Sequence, residues 1–222
     1  MKKVLVLATC MVLLLAGAVQ AATLTLGSHV TWINSTMDGT NVTVGGGSFD
    51  FATWTETGGT PTTFDFIYCV DFFNHISLNG IYGNAAATST GVVNGTTIHN
   101  AEQVAWLLDT YGTGGNGVQA YALQAAIWHV IYDGSPDAGG HLYAINDISG
   151  TSDDAAVAAY NAILLALGSN TSDVSRYLWI TPNGTTNNVQ GQVASVPEPG
   201  TMILLGIGLI GMASFGRKKF RK

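Results

Sequence analysis

The order of apolar and polar positions divides the chain into a strand-rich first half, a helical middle and a short return to strands. From Phe64 to Phe73, alternation places Phe64, Phe66, Tyr68, Val70 and Phe72 on one face and Asp65, Ile67, Cys69, Asp71 and Phe73 on the other. Aromatics on both faces predict an interior strand, with Cys69 turned away from bulk water. Shorter strands are expected at Leu24 to Leu26, Val30 to Ile33, Val42 to Val44, Phe49 to Trp54, Ile76 to Tyr82 and Val174 to Ile180, with a weaker one at Val189 to Val193. Gly45-Gly46-Gly47 and Gly58-Gly59 read as turns. Three stretches repeat at helical spacing. Asn100 caps the first, Gln103 stands at the capping-box position, and Val104, Leu107, Leu108 and Tyr111 form its stripe before Gly112. The second runs from about Val118 to Tyr132 and stops at Asp133-Gly134. The third opens at Thr151 or Ser152, carries Val157, Tyr160, Leu164 and Leu167 on one face, and ends at Gly168. Strands, then helices, then strands predict an α+β domain, a β-sandwich or barrel with a helical insert.

The two ends break this pattern with uninterrupted apolar runs. Lys2 and Lys3 precede an apolar run from Val4 to Val19, and small residues follow up to Ala21. This is the layout of a signal peptide over residues 1–21, cleaved after Ala21 and taking Cys10 with it. At the other end, Pro197-Glu198-Pro199 precedes an apolar stretch from Thr201 to Gly216 and the basic cluster Arg217 to Lys222. A basic cluster after an apolar segment stays cytoplasmic, so an exported chain stops on this tail. The predicted organisation is therefore a signal peptide at 1–21, one domain at 22–195, and a tail at 196–222 with an apolar helix over 201–216.

The tail residues Pro197, Glu198 and Pro199, with the apolar run and basic end, resemble a PEP-CTERM sorting signal. An exosortase recognises such tails in Gram-negative bacteria that make exopolysaccharide. The resemblance implies signal peptidase and exosortase as processing partners and a transient hold in the inner membrane. Cleavage near Pro197-Glu198-Pro199 would then deliver the body to the cell surface or extracellular matrix. Membrane contact is expected through the tail alone.

Charge sharpens the picture of the body. The formal net charge of −6 averages over basic ends; Ala22 to Val196 holds thirteen of the fourteen acidic residues, no lysine, and Arg176 as its one strong base. Such a surface repels phosphate backbones and anionic lipid headgroups, which excludes nucleic acid as a partner.

Candidate chemistry begins with Cys69, the one cysteine left after loss of the leader. A lone thiol in an exported protein is either a small buried hydrophobe or a group with a task. Gln124 falls on the same helical face as Leu123 and Ile127. A buried primary amide left unpaired costs about 1–3 kcal/mol, so Gln124 either bonds a carbonyl or water or has been consumed by the thiol.

Tyr68-Cys69-Val70-Asp71 and Leu123-Gln124-Ala125-Ala126-Ile127-Trp128 resemble the Tyr-Cys and Gln-x-x-Ile-Trp motifs of the Cys-Gln thioester domains of bacterial surface proteins. Val104 to Tyr111 resembles the helix between those motifs, and the likeness spans about Phe64 to Gly134. The resemblance implies an internal thioester, formed when Cys69 sulfur attacks the Gln124 side-chain carbonyl and ammonia leaves. The stored acyl group would take one amine or hydroxyl on a target, as single-use attachment in adhesion or a biofilm matrix, without turnover and without a cofactor. Tyr68 and Trp128 are candidates to shield it, and Asp71 and His129 to assist its formation, each with a plain structural role as the alternative. The absence of lysine from the body limits self-acylation to the N-terminus, or simply follows from composition.

Two other classes stand beside this one. Cys69 paired with His75, His99, His129 or His141 would make a cysteine hydrolase. A passive matrix protein would associate with exopolysaccharide through its Asn, Thr and acidic surface. The spacing of histidines and carboxylates supports no metal site. Asn34, Asn41, Asn94, Asn170 and Asn183 head Asn-x-Ser/Thr triplets, potential glycan acceptors.

Overall fold

The computed structural model of the chain describes residues 22–27, 31–46, 49, 52–114, 117–145, 154–184 and 188–196. The predicted signal peptide, the tail beyond 196 with its helix over 201–216, and the cap at Thr151 or Ser152 lie outside the described residues. The strands are β1 (Ala22–Thr25), β2 (Thr31–Met37), β3 (Thr40–Gly46), β4 (Thr53–Glu56), β5 (Thr62–Thr63), β6 (Ile67–Cys69), β7 (Ile81–Thr88), β8 (Val92–Val93) and β9 (Thr96–Thr97). Helices α1 (Ala101–Tyr111) and α2 (Val118–Ile131) follow, then β10 (Tyr143–Ile145), α3 (Asp154–Leu167), β11 (Tyr177–Thr181) and β12 (Gln192–Ser195).

The architecture is α+β, as the pattern predicts: a curled seven-stranded antiparallel sheet forms a half-barrel in the order β5-β4-β1-β7-β11-β12-β6. A three-stranded sheet, β10-β2-β3, lies beside α2. The β2–β3 hairpin closes through Asp38 and Gly39, at φ 53° and 76°. Two positive φ values in a two-residue loop make the type I′ turn that matches strand twist. Asn94-Gly95, at φ 52° and 75°, turns β8 into β9 in the same way.

Several expectations are corrected. The strand expected over Phe64 to Phe73 is ordered as β6 only at Ile67–Cys69, and it is an edge strand, paired to β12 alone. It nonetheless reads as interior because all three residues are buried. Its far end is cut by Asp71, whose Oδ1 accepts the backbone N–H groups of Phe73 and Asn74 and turns the chain. The strand expected at Ile76 to Tyr82 begins instead at Ile81, after a turn at Asn79 (φ 55°), and runs to Thr88 through Ala85, Ala86 and Ala87. These alanines have little intrinsic preference for strand; pairing with β1 and β11 on either side imposes it.

Asn100 precedes α1 but adopts a left-handed conformation (φ 53°) and makes no side-chain cap. Its amide instead donates to Val130 O at 3.0 Å and Asp133 Oδ2 at 3.1 Å, tying the start of α1 to the end of α2. Gln103 likewise does not close a capping box but donates to Gly168 O. Helix α2 is buried on nearly every side, between α1, α3 and the smaller sheet. Its expected stripe of Ala120, Leu123, Ile127 and Ile131 is therefore only part of its buried surface. Each fully buried Leu or Ile here contributes about 1.5–3 kcal/mol.

Candidate functional site

The site lies where the edge of the half-barrel meets α2. A strand edge presents unpaired N–H and C=O groups, and burying them without partners is costly. At β6 the missing neighbour is a side chain. Cys69 N–H donates to Gln124 Oε1 at 2.8 Å, and Gln124 Nε2 donates to Cys69 O at 2.8 Å. The primary amide thus stands in for the peptide group of an eighth strand. Both residues have no exposed surface.

The other side of Cys69 is set by register. Cys69 lies opposite Gln192 on β12, while Val70 N–H donates to Gly191 O at 3.0 Å. With the Cys69 backbone groups turned to Gln124, Cys69 and Gln192 form a non-hydrogen-bonded antiparallel pair, the geometry that brings side chains closest. Gln192 Nε2 accordingly lies 3.5 Å from Cys69 Sγ and donates to it. The Cys69 S–H donates to Gln190 Oε1 at 3.1 Å. Gln190 is itself anchored, its Nε2 donating to Asp71 O at 2.7 Å and its backbone N–H to His75 O at 3.1 Å. Gln192 Nε2 also donates to Gln190 O at 3.2 Å, which fixes the amide's orientation and leaves Gln192 Oε1 buried with no hydrogen-bond partner among the described residues. Burial pushes the Cys69 thiol up to about 12, against a smaller lowering from the Gln192 hydrogen bond.

The remaining sequence candidates sit around this centre with different partners. Tyr68 occupies the opposite face of β6, where its hydroxyl donates to Thr113 O at 2.6 Å and its ring lies 6.0 Å from Phe66. Asp71 is occupied by hydrogen bonds: besides the two backbone donors, its Oδ2 accepts from Asn74 Nδ2 at 2.6 Å and from Asn94 Nδ2 at 3.2 Å. Trp128 is fully buried, edge-on to Phe72 at 5.2 Å and 5.6 Å from Tyr143, with its indole Nε1 unpartnered among the described residues. His129 faces α3, where its Nδ1 lies 2.8 Å from the Tyr160 hydroxyl; burial holds its imidazole below the usual value. The structure therefore brings Gln124 onto Cys69 and directs His129 elsewhere. His99 and His141 pair with Asp133 and Asp38 at 3.3 Å and 2.7 Å.

Gln190 and Gln192 are the residues that sequence reasoning passed over. Their signal is the spacing: positions two apart on a strand share a face, so both amides aim at one place. Asn94, noted in the sequence only as heading an Asn-x-Thr triplet, joins them: its Nδ2 donates to Val189 O at 3.1 Å as well as to Asp71, holding the segment before β12. A hollow of about 200 Å³ is lined in part by Phe72, Asn74, His75, Trp128 and Gln190, the residue whose amide holds the thiol. No group of three or more His, Cys, Asp or Glu is placed to hold a metal ion among the described residues.

Residues 195–219 match the PEP-CTERM protein-sorting motif. The motif marks the chain for export and membrane-associated processing by an exosortase, with a surface or extracellular destination. No curated protein and no solved structure matches the chain. Among the described residues no helix is long and apolar enough to cross a membrane.

Proposed function

We propose that this exosortase-sorted protein stores an internal thioester between Cys69 and Gln124 and spends it in covalent attachment to an amine or hydroxyl on its target. On this reading residues 1–21 are removed as the signal peptide, the domain over 22–195 carries the bond, and the tail from 196 is lost in sorting. The observation that carries the chemistry is the two-point seat of the Gln124 amide on the Cys69 backbone. It holds the acyl group beside the only cysteine of the body. It also supplies a donor to the oxygen on which charge develops, since Cys69 N–H already contacts Gln124 Oε1.

Sulfur attacks the Gln124 Cδ, the S–C bond forms as the C–N bond breaks, and ammonia departs carrying the thiol proton. The protein keeps the acyl half of a nucleophilic reaction without completing the cycle. Attack by a target amine forms an amide, attack by a hydroxyl an ester, and either frees the thiol. The hollow bordered by Trp128 and Gln190 is the approach for that group. Trp128 shields the acyl group in its buried position, and the hydrogen-bonded Asp71 shapes the turn after β6.

A structural reading draws on the same contact: Gln124 also serves as cover for a strand edge. Intact-mass spectrometry of the secreted body separates the two. The thioester makes the protein lighter by one ammonia, methylamine adds across the bond, and Cys69→Ala removes both effects. A wild-type mass equal to the plain processed sequence, with a thiol that titrates on unfolding, refutes the thioester.

A further inference from the structure

We propose that Gln192 is a catalytic residue of thioester formation and opening, its side-chain oxygen accepting an N–H from the nitrogen that leaves Gln124 and, in the reverse direction, from the amine that attacks. The inference rests on the thioester reading and concerns which group handles nitrogen at the sulfur. Gln192 is wholly buried, one amide atom donates to Cys69 Sγ, and the other, Oε1, has no partner among the described residues. A buried amide oxygen without a donor is a standing cost unless a donor arrives during function. The same amide therefore touches the reacting sulfur through Nε2 and carries on its other atom an acceptor with no donor among the described residues.

In the resting state the Gln124 nitrogen is planar and gives one N–H to Cys69 O. As sulfur adds to Cδ, that nitrogen becomes tetrahedral, takes the thiol proton from sulfur and leaves as ammonia. An acceptor at Gln192 Oε1 stabilises the extra N–H as it forms. Opening by a primary amine runs the same path backwards: the nitrogen bonds Cδ, one proton passes to sulfur, and a second N–H rests on Gln192 Oε1. A hydroxyl or a secondary amine brings a single proton, which sulfur must receive, so it leaves Oε1 unmatched. Gln192 thus selects primary amines. Gln190 takes no part in bond making; it accepts the thiol hydrogen and positions sulfur through its anchor on Asp71 O.

The test compares Gln192→Met, of similar shape without an acceptor, and Gln192→Glu, which keeps one, against the wild-type body with folding checked by thermal melt. Thioester formation after refolding is followed by intact mass, and the preformed bond is opened with methylamine or dimethylamine. Gln192→Met is expected to slow formation about 10- to 100-fold, the effect of losing one hydrogen bond to a developing charge. It is also expected to erase most of the preference for methylamine over dimethylamine. Because Met is no smaller than Gln, an unchanged preference in Gln192→Met assigns selectivity to steric fit and overturns the proposal, as does an unchanged rate. If Gln192→Met does not fold, Gln192→Glu decides: it should retain the preference, and its loss there overturns the proposal. Failure of wild type to lose ammonia refutes the thioester itself, a result distinguishable from normal formation in the Gln192 variants.

Discussion

At the scale of single residues, Cys69 is defined by what keeps it neutral. Complete burial stabilises the thiol over the thiolate and raises its pKa to about 12, against a smaller lowering from the Gln192 amide that donates to it. In the unfolded chain a cysteine ionises near 8.5. Between these values the unfolded state has lost its proton and the folded state has not, so stability present at lower pH falls as pH rises. The slope is about 1.4 kcal/mol per pH unit for one such group. Buried Tyr132 and Tyr160, also raised to about 12, act in the same direction, but only once unfolded tyrosine ionises near pH 10. The interval from about pH 8.5 to 10 therefore isolates the thiol. Gln124→Met, which leaves the thiol unlinked, should lose chemical stability across that interval by urea titration. Cys69→Ala in the same background should not; equal slopes would show that the thiol is not the titrating group. The need for such burial was legible in the alternation around Cys69. Its partners Gln190 and Gln192, 121 and 123 positions away, were not, because no local periodicity relates them to it.

At the scale of elements, the site depends on how closely β12 and β8 approach. Gly191 lies between the two glutamines, and its carbonyl receives Val70 N–H. A Cβ there would collide with the Val93 side chain, so glycine is required by contact with β8 and not by backbone conformation. Gly191→Ala should cost about 1–3 kcal/mol in stability, as overpacking of a filled interior does. Thermal or urea unfolding measures it, and Val93→Ala in the same protein should recover part of the loss. The helices were read well from their 3.6-residue repeat, with α2 at Val118–Ile131 against an expected 118–132. Edges were read poorly. A buried edge strand and an interior strand share one hydrophobic pattern, and only the pairing partner distinguishes them. For β6 that partner is a glutamine on a helix, 55 residues further along.

For the whole molecule, delivery and chemistry reside in separate parts of the chain. The sorting motif at residues 195–219 begins at the last residue of β12, so release near Pro197-Glu198-Pro199 would leave the half-barrel intact. Replacing Pro197, Glu198 and Pro199 together by alanine should keep the protein in the membrane fraction at its uncleaved mass, by fractionation and mass spectrometry. Normal release of that variant would show that cleavage does not read these residues. The acidic, lysine-free body presents no side-chain amine of its own to the acyl group of the proposed thioester.

The sequence by itself determined the sorting motif, because sorting machinery reads linear order: proline pair, apolar run and basic end. It also determined the helices and the α+β class, because periodicity is a local property of the chain. Only the tertiary structure decided that β6 is an edge strand closed by the Gln124 amide, and that Gln190 and Gln192 converge on the same sulfur. Register between β12 and β6 produces that convergence, and register is a relation between distant segments that neither segment encodes alone.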